Sequence, residues 1–122
     1  MSCESPSVMI VDDEAVMVML LRVRLNGAGF KVCATASSKQ EAVTKALELS
    51  PDFVIMDIRL TESGDGVEAA QEIMRKIRTN LIFFSGYSEG EIYKRAMELN
   101  PGGYIVKPFD ISELVAIMKE KV

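Results

Sequence analysis

Short runs of apolar, β-forming residues alternate five times with stretches whose apolar residues recur at helical spacing along these 122 residues. Such alternation leaves few folds open. Each strand is reached from the last through a helix, so the strands run parallel and helices cover both faces of the sheet. Right-handed crossovers narrow the topology further. The pattern predicts strands near 8–11, 30–36, 53–57, 80–85 and 103–106, with helices near 14–26, 38–49, 67–78, 88–99 and 111–121. Three helix starts carry capping patterns: Ser38-x-x-Glu41, Ser88-x-x-Glu91 and Asp110-x-x-Glu113. Asn26-Gly27 with Gly29 stops the first helix, and Asn100-Pro101-Gly102-Gly103 reads as a turn. The apolar positions expected to face the core include Met17, Leu20, Leu21 and Leu25 in the first helix. Val67, Ala70, Ile73, Met74 and Ile77 serve the third, and Ile111, Leu114, Val115 and Met118 the fifth. The continuous runs at 53–56 and 81–84 suit central strands buried on both sides. The expectation is one α/β domain over 8–122, a doubly wound five-stranded parallel sheet with five helices, after a lead-in at 1–7.

Four of the apolar runs lead directly into polar side chains. Val8–Val11 is followed by Asp12, Asp13 and Glu14, Phe53–Met56 by Asp57, Leu81–Phe84 by Ser85, and Tyr104–Val106 by Lys107 and Pro108. In a parallel sheet the carboxyl ends of the strands share one edge, where ligands bind. Asp12 and Asp13 taken alone are equally readable as a helix cap and a solvated carboxylate. Asp57 is harder to dismiss, since a carboxylate ending a buried strand is costly unless a charge meets it. Clustered carboxylates share a proton or bind a cation, and oxygen-only donors favour a hard ion such as Mg²⁺. Asp57 would then be a nucleophile toward phosphorus, with the Lys107 ammonium and the Ser85 hydroxyl facing the phosphoryl oxygens. A cis Pro108 would aim Lys107 inward.

Composition removes several function classes. The chain has no His, so imidazole catalysis and imidazole metal ligation are excluded, and a phosphohistidine donor must be another protein. A formal charge of −4 disfavours direct nucleic-acid binding, and the apolar run Ala15–Leu21 is too short to span a bilayer. No signal stretch opens the sequence, so a cytoplasmic setting is expected. Cys3 and Cys33 have no metal or redox spacing, and Cys33 reads as a small strand hydrophobe.

From Val8 to about Lys121 the sequence resembles the receiver domain of two-component response regulators. The resemblance implies a flavodoxin-like sheet of order 2-1-3-4-5 and a phosphorelay role. Asp57 would accept a phosphoryl group from a phosphohistidine on a sensor histidine kinase or histidine phosphotransfer domain. Mg²⁺ would be held by Asp12, Asp13, Asp57 and the backbone carbonyl of Arg59. Ser85 would be the hydroxyl switch and Tyr104 the aromatic one, altering the surface of the fourth helix, fifth strand and fifth helix for a downstream effector. The domain would be a monomer or a phosphorylation-dependent dimer. It would catalyse its own phosphorylation and dephosphorylation without turning over an external substrate. The loop Ile58–Gly66 departs from the common family pattern: it lacks a Pro and is one residue longer. Arg59 and Tyr87, each two residues past a site residue, are placed to cover the phosphoryl group and lengthen its lifetime.

Other readings fit less of the chain. A phosphatase of the Asp-x-Asp type would need a carboxylate where Arg59 stands, and a flavin module would need a Ser/Thr/Gly-rich loop where Asp12-Asp13-Glu14 stands. A binding-only receiver would not need the full set Asp12, Asp13, Asp57, Ser85 and Lys107. Of the methionines at 17, 19, 56, 74, 97 and 118, most are expected in the core, with Met97 and its helix neighbour Tyr93 left as partner contacts.

Overall fold

The computed structural model describes residues 5–58, 66–85, 90–106 and 110–122. Five strands and five helices alternate as expected: β1 (Ser7–Val11), α1 (Ala15–Gly27), β2 (Lys31–Ala36), α2 (Lys39–Leu49), β3 (Phe53–Asp57), α3 (Gly66–Lys76), β4 (Asn80–Ser85), α4 (Glu91–Met97), β5 (Gly103–Val106) and α5 (Ile111–Lys119). The strands form one sheet in the order β2-β1-β3-β4-β5, and every pairing is parallel.

Alternation along each strand builds two apolar layers. Met9, Val11, Val54, Met56, Leu81 and Phe83 point to one face, where they meet Ala42 and Ala46 of α2, Val67, Ala70 and Ile73 of α3, and Ala96 of α4. Val8, Ile10, Phe53, Ile55, Ile82, Phe84 and Ile105 point to the other, against Leu21 and Leu25 of α1 and Leu114 and Met118 of α5. β3 and β4 lie inside the sheet with helices on both sides, which explains their unbroken hydrophobic runs.

Local chemistry sets the boundaries. Ser38 caps α2 by accepting the Glu41 N–H at 3.2 Å, and Glu41 accepts the Ser37 N–H at 2.8 Å. Asp110 caps α5 by accepting the Ser112 N–H at 3.0 Å. α4 is shorter than expected: it begins at Glu91 behind Gly90, whose φ of 96° suits glycine, while Ser88 lies outside the described residues. Ser7, expected in the lead-in, is the first residue of β1. Its N–H and hydroxyl both donate to the Asp52 carboxylate, tying the strand entry to the turn before β3. A register shift between Val8 and Met9 leaves half-buried Cys33 at a bulge in the edge strand β2.

The face assignment of α1 needs correction. Leu21 and Leu25 are buried and Met17 and Val18 partly so, whereas Leu20 and Met19 face solvent. α1 is apolar on nearly all sides, so helical spacing alone could not distinguish its core face.

Candidate metal and phosphoryl site

Three neighbouring strands deliver the acidic cluster and its hydroxyl. β1 ends at Val11 and releases Asp12 and Asp13, β3 ends on Asp57, and β4 ends on Ser85. Because these strands are parallel and adjacent, their carboxyl ends come side by side. Asp12, Asp13 and Asp57 each offer a carboxylate oxygen, and the three oxygens lie within 4.8 Å of one another. Asp12 and Asp57 are only 2% and 5% exposed, while Asp13 opens to solvent.

Backbone contacts fix the cluster. The Asp12 N–H donates to the Ala36 carbonyl at 3.0 Å, and Asp12 Oδ1 accepts the Glu14 N–H at 2.9 Å. Glu14 is the N-cap of α1 without a side-chain cap bond of its own, and Asp12 closes the turn that leads into it. Beyond Asp57, the Ile58 N–H donates to the Phe84 carbonyl at 3.2 Å, and the Gly66 N–H donates to the Ile58 carbonyl. Gly66 presses on the backbone of Asp57: a Cβ there would lie 2.1 Å from the Asp57 carbonyl oxygen. The sequence marks Gly66 as the end of a loop but gives no sign of this approach.

Two unit charges about 4.8 Å apart repel by roughly 3 kcal/mol at an effective dielectric near 20. Assembling Asp12 and Asp57 in a nearly closed site is thus unfavourable unless a cation joins them. Three oxygen donors without sulfur or imidazole fit Mg²⁺, and the exposed edge at Asp13 leaves room for waters or a phosphoryl oxygen. A cavity of about 290 Å³ opens on the β2 side of Asp12 and Asp13, walled by Thr35, Ser37, Glu41 and Lys45. The Lys45 ammonium in that wall is engaged at 2.7 Å with the Thr35 carbonyl and at 3.0 Å with Glu41. This ion pair was not anticipated, although its i, i+4 spacing is readable in the sequence.

Ser85 is buried at the end of β4 and shares a sheet face with Tyr104. Burial, with the neighbouring Tyr93 adding, pushes the Tyr104 hydroxyl above its ordinary pKa, against the opposing pull of hydrogen bonding with Ser85. The Tyr104 ring packs edge-on against Tyr93 of α4, centroids 4.9 Å apart, and lies 6.3 Å from the ring of Phe83. Tyr93 therefore contacts Tyr104 and is half-buried, while Met97 is exposed as expected. Arg59, Tyr87, Lys107 and Pro108 lie outside the described residues.

Comparison with known proteins agrees with this architecture. The family model described as the response regulator receiver domain matches residues 8–119. The chemotaxis protein CheY of Thermotoga maritima is 38% identical over 115 residues, covering 93% of this chain and 94% of that protein. The transcriptional regulatory protein PdtaR of Mycobacterium tuberculosis is 36% identical over 108 residues, covering 88% of this chain and 52% of its own. This chain thus spans about half the length of that relative. Among solved structures, the signal receiver domain of a modulated diguanylate cyclase from Desulfovibrio desulfuricans G20 superposes with a TM-score of 0.88 at 32% identity, covering 95% of this chain and 92% of that one. A parallel sheet in the order 2-1-3-4-5, an acidic cluster at its carboxyl edge and a family match along almost the whole chain lead to one assignment: this chain belongs to the response regulator receiver domain family of two-component systems.

Proposed function

We propose that the chain is a phosphoacceptor switch in which Asp57 takes a phosphoryl group from a phosphohistidine on a sensor histidine kinase or histidine phosphotransfer domain. The observation that carries this reading is the Asp57 carboxylate at the end of a fully buried strand, within 4.8 Å of two further carboxylates. An Asp57 oxygen attacks phosphorus as the bond from phosphorus to the donor imidazole nitrogen breaks. An acyl phosphate forms and the imidazole leaves; water later reverses the modification by hydrolysis. Holding Asp57 on a rigid strand removes much of the orientational cost of that attack.

Asp12, Asp13, Asp57 and the Arg59 carbonyl are the proposed Mg²⁺ ligands. When bound, Mg²⁺ supplies positive charge against the carboxylates and the phosphoryl oxygens. Lys107, which follows β5 directly, is assigned to one phosphoryl oxygen. Ser85 has one hydroxyl hydrogen and donates it to another. Turning that hydroxyl toward Asp57 alters its hydrogen bonding with Tyr104, whose ring then settles inward. The move is passed to α4, β5 and α5, where Met97 and Val106 expose apolar surface for an effector. Arg59 and Tyr87 are proposed to slow hydrolysis by covering the phosphoryl group; an Arg59→Ala, Tyr87→Ala double variant then dephosphorylates faster, and an unchanged rate contradicts the assignment.

On this reading residues 8–122 act as one receiver unit, monomeric or dimerising on phosphorylation, without turnover of an external substrate. A cytoplasmic setting accords with a kinase partner; among the described residues no helix is long and apolar enough to cross a membrane. Incubation with acetyl phosphate and Mg²⁺ tests the reading. One added phosphoryl group by intact mass, absent in Asp57→Asn, is expected; an unmodified parent chain, or equal modification of the variant, overturns it.

A further inference from the structure

The cavity beside the acidic cluster has a charged wall that phosphoryl transfer to Asp57 does not use. Asp12 and Asp13 line the β1 side of its 290 Å³, and Glu41 and Lys45 of α2 line the β2 side. Among the described residues around it, Lys45 is the one cation. A lysine ammonium and Mg²⁺ are drawn by the same negative potential, so an ammonium able to cross this space competes with the metal for the carboxylates.

Two contacts hold that ammonium back. Lys45 Nζ donates to the Thr35 carbonyl at 2.7 Å and to Glu41 Oε2 at 3.0 Å. Successive carbonyls of a strand point to opposite edges, and the Ala36 carbonyl accepts the Asp12 N–H from the β1 side. The Thr35 carbonyl therefore points away from β1. Because β2 is an edge strand, no neighbouring strand uses that carbonyl, and Lys45 takes it instead. Glu41 is anchored in turn: its Oε1 accepts the Ser37 N–H at 2.8 Å and the Ser37 hydroxyl at 3.3 Å. An i, i+4 pair on a free helix surface contributes little, since its long side chains sample many rotamers. This one is tied to the β2 end through both partners, so its charges have fixed places. The two cancel, and the wall facing Asp12 and Asp13 is neutral in sum.

We propose that the Glu41–Lys45 pair sets the affinity of the acidic site for its divalent cation, with Glu41 a positioning residue that keeps the Lys45 ammonium from serving as an internal counter-ion to Asp12 and Asp13. The inference rests on the Mg²⁺ assignment above and adds a control on occupancy to it. Without Glu41 the ammonium keeps only the Thr35 carbonyl, a partner with no net charge. Its flexible four-carbon stem then lets it enter the cavity toward the carboxylates. Without Lys45 the Glu41 carboxylate stays in the wall and adds negative charge on the metal's side. Mg²⁺ keeps several of its waters when bound, and a carboxylate across a cavity is a good acceptor for them.

Calorimetric titration of Mg²⁺ into the metal-free chain, with no phosphoryl donor present, reads the effect directly. Glu41→Gln is expected to weaken binding about fivefold or more, and Lys45→Met to strengthen it about threefold. The Glu41→Gln, Lys45→Met double variant is expected to bind within about twofold of the parent, because its wall is neutral again. A pair that merely braces α2 against β2 predicts another order, with every variant weaker than the parent and the double variant no better than the singles. Glu41→Gln that binds as tightly as the parent overturns the proposal. So does a double variant as weak as Glu41→Gln, or Lys45→Met that binds no tighter than the parent. A parent chain that takes up no Mg²⁺ removes the metal assignment itself, and the proposal with it.

Discussion

Asp12 and Asp57 place charge at the ends of strands that otherwise bury hydrocarbon, so their cost in the metal-free protein is measurable. Asp57→Asn relieves one repulsion, and without Mg²⁺ it is expected to raise stability to urea by about 1–3 kcal/mol. Saturating Mg²⁺ should stabilise the parent more than the variant and narrow the gap, since a ligand bound only by the folded state adds stability by mass action. A variant no more stable than the metal-free parent would contradict an electrostatically strained cluster. Gly66→Ala makes the opposite forecast. A Cβ 2.1 Å from the Asp57 carbonyl forces the backbone to shift, with an expected loss of about 1–3 kcal/mol in urea unfolding. The carboxylates were legible because each follows an apolar run; Gly66 was not, because close approach of two backbones separated by a loop has no signature in residue type.

At the level of elements, β2 and α2 are joined by the Ser37–Glu41–Lys45 network. The Ser37 N–H, followed by Lys45, holds the Glu41 carboxyl below the ordinary range. A depressed folded value means stability that is present above about pH 4.5 and lost as pH falls through the folded value. Glu41→Gln should therefore flatten the acid limb of the stability profile, by less than about 1 kcal/mol because the pair is partly solvated. For Tyr104 the sign reverses. Its raised value favours the neutral form in the folded chain, so stability is full below about pH 10 and is lost as pH rises through the folded value. Tyr104→Phe should remove that alkaline loss in a urea titration across pH 9–11; an unchanged profile would contradict a half-buried hydroxyl. Element positions were readable to within a few residues, since period and caps are local properties. The errors have physical causes. α4 begins after Gly90, whose φ of 96° interrupts the helical run, and α1 is too uniformly apolar for periodicity to reveal its core face.

For the molecule as a whole, the parallel alternation of strands and helices brings residues 12, 13, 57 and 85 to one edge from three separate parts of the chain. The alternation itself was in the sequence, and so were the strand-end side chains. The order 2-1-3-4-5 came from family resemblance, because crossover handedness alone leaves several orders open. What each side chain leaves exposed is a property of the packed whole, which is why the exposure of Met19 and Leu20 emerged only from the fold. The central claim is that one carboxylate, Asp57, carries the phosphoryl group. Its most direct measurement is borohydride reduction of the acetyl-phosphate-treated protein, followed by peptide mass spectrometry, since an acyl phosphate is reduced to the alcohol. The account predicts homoserine at position 57 alone, dependent on Mg²⁺; homoserine at another aspartate, or none in protein that has gained a phosphoryl group, would contradict it.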